Sequence, residues 1–319
     1  MTSPSIEHTV SVDRIQQPGT KTSAPVDMRP EIAAACEMIA GRDCDPFLRL
    51  MRCVYFGECE AAWKESETLV NRAEKLGLLK TDQRRLTLTS AGYLVGNVAK
   101  EYCNYVEQGR QVVAPKPPVE FFSGKDVLDL GCSFGRWLWE FQRQARSATG
   151  IEMQLEYIQL GAALARREGA PMPHLIQDSI ENLDRHIAPQ SMDLAFSRLV
   201  FNYVAIKPTV KKAVATLRPG GVFWLEVGPF AAMLSHLVDS EPRLRSKVLA
   251  AFELVNSILC TATGRQMVLR VKGRMHSAHK MACPSLGWWR RTLQREGLID
   301  FQIVRYHPHG VAFYARKPV

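Results

Sequence analysis

The sequence predicts a mixed α/β protein in which a doubly wound sheet follows a mainly helical N-terminal domain. Three observations support this prediction. Residues 125–137 read as a buried strand, a glycine turn and the start of a helix. Beyond them, apolar strand-like runs alternate with helically spaced segments, the pattern of a mostly parallel sheet. Before residue 114, in contrast, apolar residues recur mainly at helical spacing.

Length and composition agree with a globular chain of two domains. The chain has 319 residues, of which 46% are hydrophobic, which is ample for a core. No run approaches 18 consecutive apolar residues, so we expect no membrane span. Residues 1–28 are polar and lack the apolar segment of a secretory signal. We therefore expect a disordered N-terminal arm and a cytoplasmic protein.

The eight cysteines predict neither a metal site nor a disulfide framework. They form no Cys-x-x-Cys pair, and their spacings fit no common zinc pattern. Reduced and mostly buried thiols are the simpler interpretation.

Residues 29–113 read as three helices, a short hairpin and a further helix. Ser66 is placed to cap the third helix, and Thr89 or Ser90 to cap the helix after the hairpin. This order, and the stretch KLGLLKTDQRRLTLTSAGYLV, resembles a winged helix-turn-helix. The charges of its third helix and wing nearly cancel, which favours dimerisation over nucleic-acid binding. Residues 114–124 contain three prolines, which indicates an extended linker.

The glycine turn of the second domain carries the most specific motif. Asp129 ends an apolar strand, and Gly131, Ser133 and Gly135 follow at alternate positions. Free N–H groups of such a turn, and of the helix after it, favour an anion. The pattern resembles motif I of the class I S-adenosylmethionine (SAM)-dependent methyltransferases, with Ser133 in place of the middle glycine.

This resemblance implies a SAM site, with S-adenosylhomocysteine as product. The turn would meet the methionine part of the cofactor, and Asp129 would lie toward its amino group. Glu152 ends the second strand, 21 residues after Gly131, where an acid binds ribose hydroxyls. Asp178, with the backbone of its neighbours, would contact adenine. The residues implied in cofactor binding are Asp129, Gly131, Cys132, Ser133, Gly135, Glu152, Met153, Asp178, Ser179, Ile180, Ser197 and Arg198.

Later parts of the chain extend the resemblance. Residues 191–197 resemble the fourth strand, and LRPGG (217–221) precedes the apolar fifth strand. Two final strands, at 301–306 and 311–316, complete the seven-stranded, Rossmann-like sheet of the family, with its last strand antiparallel. The resemblance thus covers about residues 30–319. Small-molecule O-methyltransferases of this kind carry a winged-helix dimerisation domain before the methyltransferase domain, here 125–319, and this implies a homodimer.

Residues 228–285 exceed what a minimal domain needs after its fifth strand, and predict a substrate-binding insertion. Residues 241–319 contain 14 Lys and Arg against 4 Asp and Glu, which accounts for the net charge of +9. Arginine suits recognition of carboxylates, so we expect a small anionic acceptor. The residues expected to bind it are Asn202, Tyr203, Arg243, Arg270 and Arg274.

The catalytic base is the least determined part of the site. Plant-type O-methyltransferases place a histidine just after the fourth strand, but here that position reads Phe201-Asn202-Tyr203. The candidates that remain are Tyr203, His236, His276 and His279. A thioether or carboxylate acceptor would need no base, because its nucleophilic atom is already unprotonated.

Four functions stay open at this point. O-methylation of a carboxylate-bearing metabolite is favoured, and S-methylation of a methionine-like thioether acid is the nearest alternative. An RNA or protein methyltransferase would use the basic C-terminal region, but the aromatic residues typical of RNA contacts are not interleaved with it. A SAM-sensing winged-helix regulator would need a basic wing.

Overall fold

A computed structural model describes residues 28–110, 115–230, 244–270, 278–279, 281–307 and 310–319. Of the predicted arm, only Met28 belongs to this part of the chain. The structure is mixed α/β with a seven-stranded sheet. This confirms the fold class at that level.

The N-terminal unit consists of helices and one hairpin. Its elements are α1 (Pro30–Ala40), α2 (Cys44–Tyr55), α3 (Cys59–Glu65), α4 (Glu67–Lys75), β1 (Leu79–Asp82), β2 (Arg85–Leu88) and α5 (Ser90–Glu107). The side chains of Ser66 and Thr89 accept hydrogen bonds from Leu69 N and Gly92 N, so both act as the predicted N-caps. Four helices precede the hairpin instead of three. The seven-residue α3 is too short to show a helical period in sequence.

The sheet has the strand order β5-β4-β3-β6-β7-β11-β10. Its strands are β3 (Asp126–Leu130), β4 (Ser147–Glu152), β5 (His174–Gln177), β6 (Met192–Arg198), β7 (Leu217–Val227), β10 (Ile299–His307) and β11 (Gly310–Arg316). β11 runs antiparallel to both of its neighbours, and the other pairings are parallel. The predicted terminal hairpin with an antiparallel last strand is thereby confirmed.

The helices around the sheet are α6 (Arg136–Gln142), α7 (Leu155–Glu168), α8 (Ile206–Thr216), α9 (Leu244–Thr263) and α10 (Leu286–Arg295). Short 3₁₀ turns occupy Val119–Phe121, Ile180–Arg185 and Phe201–Tyr203. Within the predicted insertion, β8 (Leu269–Arg270) pairs antiparallel with β9 (Ala278–His279). The LRPGG segment, which the sequence indicates as a turn, already belongs to β7, because Leu217 pairs with Met192 and Gly221 O accepts from Lys317 N.

The N-terminal unit and the sheet domain share one hydrophobic cluster. Ile32 of α1 and Val95 of α5 belong to the same cluster as Leu160 and Leu164 of α7. Polar contacts accompany this packing: Asn97 donates to the Tyr157 hydroxyl at 2.9 Å, and Tyr102 donates to Glu168. The face of α7 that points away from the sheet is therefore buried by the chain's own N-terminal helices.

The topology fixes where a ligand can bind. Strand order reverses at β3, which has β4 on one side and β6 on the other. In an open parallel sheet the crevice lies at this reversal, beyond the carboxyl ends of the strands. Asp129, Glu152, Asp178 and Arg198 all lie at or next to those ends.

No helix in the described ranges is long and apolar enough to cross a bilayer.

Candidate functional site

The turn after β3 has the backbone that the glycine motif predicts. Gly131, Ser133 and Gly135 have φ values of +77°, +53° and +85°, a region that only glycine adopts without cost. A Cβ on Gly131 would lie 2.3 Å from Cγ2 of Val200, so this position also lacks space for a side chain. The sequence also indicates an anion-binding helix terminus here. Because α6 has only seven residues, its dipole is small, and the turn and nearby carboxylates define the site instead.

Asp129 is the most unusual group of the turn. Its side chain is 2% exposed, and its Oδ2 has no hydrogen-bond partner within the described part of the chain. Burial, followed by the charge of Glu152, raises the pKa of Asp129 to about 8. A buried carboxylate without a partner is costly, so this position favours a ligand that brings a cationic donor. The ammonium group of SAM meets that requirement.

Glu152 ties the end of β4 to the glycine turn. Its Oε2 accepts from Ser133 N at 3.0 Å, and its Oε1 accepts from Gln154 N at 2.8 Å. These bonds fix the carboxylate at the end of its strand. A carboxylate held at the end of this strand suits the hydroxyls of a ribose. Met153, the next residue, is largely exposed at the same edge.

Asp178 lies in a network of its own after β5. Its Oδ1 accepts from Ser179 N and from Asn182 Nδ2 at 2.6 and 2.8 Å, and its Oδ2 lies 2.7 Å from His186 Nε2. Burial opposes ionisation, but these bonds outweigh it and lower the pKa of Asp178. The sequence does not indicate that His186 contacts Asp178. His186 comes directly after an irregular 3₁₀ segment, and such a segment has no regular period that would place the two residues together.

Ser197 and Arg198 mainly connect strands. The Ser197 hydroxyl is fully buried and donates to Leu130 O at 2.9 Å, which links β6 to β3. Arg198 Nε donates to the buried Glu226 at 2.7 Å, and its Nη1 lies 3.8 Å from Glu101. The structure thus places both residues at the cleft edge, with side chains already engaged within the protein.

Helix α5 brings an acidic group from the N-terminal unit to this edge. The Glu101 carboxylate pairs with the buried Arg136 at 3.2 Å. Although burial opposes ionisation of Glu101, the charges of Arg136, Lys100 and Arg198 lower its pKa. Sequence reasoning misses this contact, because Glu101 and Arg136 lie 35 positions apart in different predicted domains.

Asn202 and Tyr203 lie on the 3₁₀ turn after β6. Asn202 is buried; its main-chain oxygen accepts from Ala282 N at 2.9 Å, and its Oδ1 has no described partner. Gly228 closes this corner, since a Cβ there would lie 2.8 Å from Asn202 Nδ2. An amide oxygen without a partner at this edge is available to a ligand donor.

Groups from distant parts of the chain affect Tyr203. Its side chain is 57% exposed, yet desolvation raises its pKa, and so do Cys283, Glu253 and Tyr93. The exposure and the desolvation of Tyr203 are compatible if solvent reaches its ring while many protein atoms lie around it. Tyr93, on α5, and the buried Glu253, on α9, were not found from sequence. An isolated tyrosine or glutamate gives no pattern to detect.

The remaining predicted residues receive little structural information. Arg243, Arg274, His236 and His276 lie outside the described residues. Arg270 and His279 are described only in their backbone, where they lie on the paired strands β8 and β9. Within the described ranges, no group of three His, Cys, Asp or Glu could hold a metal ion.

Comparison with known proteins finds a similarity to methyltransferases in this region. Residues 127–221 match the family model described as a methyltransferase domain. The ubiquinone biosynthesis O-methyltransferase of Photorhabdus laumondii is 28% identical over 178 residues, which cover 54% of this chain and 63% of that protein. The chain thus spans less than two thirds of that relative's length.

Solved structures give a more distant likeness. A SAM-dependent methyltransferase from Mesorhizobium loti is 18% identical, with a TM-score of 0.44, over 62% of this chain and 93% of its own. The DhpI–SAH complex is 14% identical, with a TM-score of 0.40, over 60% and 76% of the two chains. Likeness of this degree supports no argument about function. The family match spans β3 to the start of β7, and so includes the glycine turn and Asp129.

Proposed function

We propose that this chain transfers the methyl group of SAM to an oxygen atom of a small-molecule acceptor, bound at the carboxyl edge of β3, β6 and β7. The observation that carries the proposal is the pair of acids at adjacent strand ends. Asp129 is buried with an unpartnered oxygen, and Glu152 is fixed by two backbone N–H groups. One suits an ammonium group and the other a ribose diol.

These residues would hold the cofactor along the sheet edge. Asp129 would accept from the ammonium group, Glu152 from the ribose hydroxyls, and the segment from Asp178 to Ile180 would lie against adenine. When bound, SAM supplies a methyl group on a positively charged sulfur, which is already activated for displacement. The protein therefore needs mainly to align the acceptor and to exclude water.

Tyr203 would orient the acceptor and would not remove its proton. Because its pKa is raised, the phenol stays protonated at neutral pH and donates a hydrogen bond. Asn202 Oδ1 offers an acceptor for the hydroxyl of an incoming alcohol or phenol. Neither group would act as a general base, and where the acceptor requires one, His236, His276 and His279 are the proposed candidates.

We further propose that the acceptor molecule is anionic. It is supported by the basic C-terminal quarter of the sequence, in which Arg243, Arg270 and Arg274 are the proposed carboxylate partners. The name of the Photorhabdus relative supports oxygen as the methylated atom. S-methylation of a thioether acid remains the alternative, because Phe201-Asn202-Tyr203 stands where plant-type enzymes have a histidine, and a thioether sulfur needs no base.

The N-terminal unit is proposed to be a winged helix that supports the site and does not bind DNA. Its hairpin and flanking helices occur in the predicted order. α5 contributes Glu101, which pairs with Arg136 and lies 3.8 Å from Arg198 at the end of β6, and this supports a role in shaping the site.

The test is methyl transfer from labelled SAM to a panel of phenols, carboxylates, thioethers and amines. We expect labelled product from oxygen acceptors that carry a carboxylate. Asp129→Asn should reduce this activity at least tenfold, while the exposed Glu120→Gln should not change it. Transfer to thioethers alone would favour S-methylation, and transfer to none, despite SAM binding, would overturn the acceptor class.

A further inference from the structure

Helix α9 has two faces of opposite character. One face is buried against its own chain and is partly polar, with Glu253, Asn256 and Ser257 at 3%, 0% and 0% exposure. Asn256 Nδ2 donates to Met267 O and Met281 O, and Ser257 Oγ accepts from Cys283 N. These bonds fix the orientation of α9 on the protein, and therefore fix which side chains point outward.

The outward face is an apolar stripe. Its residues follow one another at intervals of three, four, three and four: Val248, Ala251, Val255, Ile258 and Ala262. The three largest are 57%, 53% and 51% exposed. We call these five residues the α9 stripe.

The stripe lacks the charges of a solvated helix. Between Lys247 and Arg265 the sequence contains one charged residue, Glu253, and that residue is on the buried face. A helix that faces water normally carries charged or polar residues on that side, and an apolar patch of this kind marks an interaction surface. Spacing of three and four residues is the pattern by which one helix packs along another.

We infer that the α9 stripe docks against the α9 stripe of a second copy of this chain, with the two helices antiparallel about a twofold axis at Val255. Such an interface is self-complementary, and Val255 is the central residue of the stripe. The arrangement brings Val248 of one copy toward Ala262 of the other. An uncharged stripe meets its copy without electrostatic repulsion.

The charge at the end of the helix fits this orientation. Lys247 is exposed in the first turn of α9, where the helix dipole disfavours a cation. In an antiparallel pair it would lie beside the carboxyl end of the partner helix, where a cation is favoured. A parallel pair would place the two lysines together.

The α9 stripe is large enough to form the apolar centre of a dimer interface. The stripe spans about 21 Å at 1.5 Å per residue, and the half-buried Phe252, Leu254 and Leu259 adjoin it. A stable interface buries about 800 Å² on each partner, so the stripe would form its apolar core, with neighbouring residues as the rim. In the N-terminal unit, α1 and α5 belong to the same buried cluster as α7, so their apolar faces are already covered.

The test combines a disruptive variant with a cross-link. We expect the full-length chain to sediment as a dimer, and Val255→Glu to weaken dimerisation at least 100-fold while its circular dichroism spectrum and SAM binding are retained. Phe56→Glu, on an exposed side chain of the N-terminal unit, should leave the dimer intact. A monomeric wild-type chain, including one that binds lipid vesicles instead, would overturn the proposal.

The cross-link does not depend on the folding of a charged variant. A twofold axis at Val255 brings the two copies of this position together, so Val255→Cys should form an intermolecular disulfide on mild oxidation. Val248→Cys should not, because the two copies of that position would lie on the order of 20 Å apart. Equal cross-linking of both variants, or of neither, would contradict the antiparallel arrangement.

Discussion

The chemistry of the site depends on Asp129. The sequence motif identifies this residue, but it does not show that the carboxyl group is buried and that one of its oxygens has no hydrogen-bond partner among the described residues. The motif places an acid ahead of the glycines, and the structure shows that this acid is buried with one oxygen unpartnered. Burial depends on the strands on either side, and a local motif does not reveal them. The orphaned oxygen is what distinguishes a ligand site from an ordinary tight turn.

SAM affinity should depend on pH through Asp129. With a pKa of about 8, the carboxyl group is largely neutral below that value and attracts an ammonium group only weakly. We expect affinity to fall as pH is lowered from 8.5 to 6.5, by up to about tenfold per unit below the pKa. Calorimetric titrations across this range should show the fall for the wild type and a flat profile for Asp129→Asn. A flat wild-type profile would exclude the role of Asp129.

Gly131 should tolerate no side chain. In Gly131→Ala, the methyl group meets Val200 at 2.3 Å in a left-handed conformation, so we expect a loss of about 2–4 kcal/mol in the free energy of unfolding. Gly124→Ala is the control, because Gly124 has φ +67° but open space around it, and should lose only about 1 kcal/mol. Denaturant unfolding measures both; equal losses would show that the contact with Val200 is unimportant.

At the level of elements, the contacts that join distant segments were the least predictable. The hairpin, both helix caps and α7 follow from local patterns, because each depends on residues within a few positions. The short α3 does not. The side of α5 that reaches the cleft also has no local signal, since Glu101 meets Arg136 and Arg198 only after the sheet has formed.

The ion pair of Glu101 should stabilise the contact between α5 and the sheet domain. Glu101→Gln leaves the buried Arg136 guanidinium with a weaker partner, so we expect a loss of about 1–3 kcal/mol. Glu107→Gln, on the same helix, removes an exposed pair with Arg52 and should cost less than about 1 kcal/mol. Thermal unfolding of both variants tests this, and a larger loss in Glu107→Gln would refute it.

At the level of the whole molecule, the sequence correctly indicated a seven-stranded sheet with an antiparallel terminal strand. It predicts two domains, and the structure adds that α1, α5 and α7 share one hydrophobic cluster across the boundary between them. Apolar periodicity shows which face of a helix is buried, but not which partner covers it. The apolar surface of α7 therefore gave no sign that the N-terminal helices cover it.

The shared cluster should make unfolding of the two parts a single event. The cluster that contains Val95 and Leu164, and the bonds of Asn97 and Tyr102, cross from one part to the other. We expect one calorimetric transition, with the calorimetric enthalpy equal to the van't Hoff enthalpy. Two resolved transitions would show that the parts unfold independently.

The most direct test of the central claim is calorimetric titration of SAM into the full-length chain at pH 8.5. We expect one SAM per chain, affinity at least tenfold weaker in both Asp129→Asn and Glu152→Gln, and no change in Glu120→Gln. Absence of SAM binding to the wild type, or unchanged affinity in both site variants, would contradict the assignment of these two acids to the cofactor.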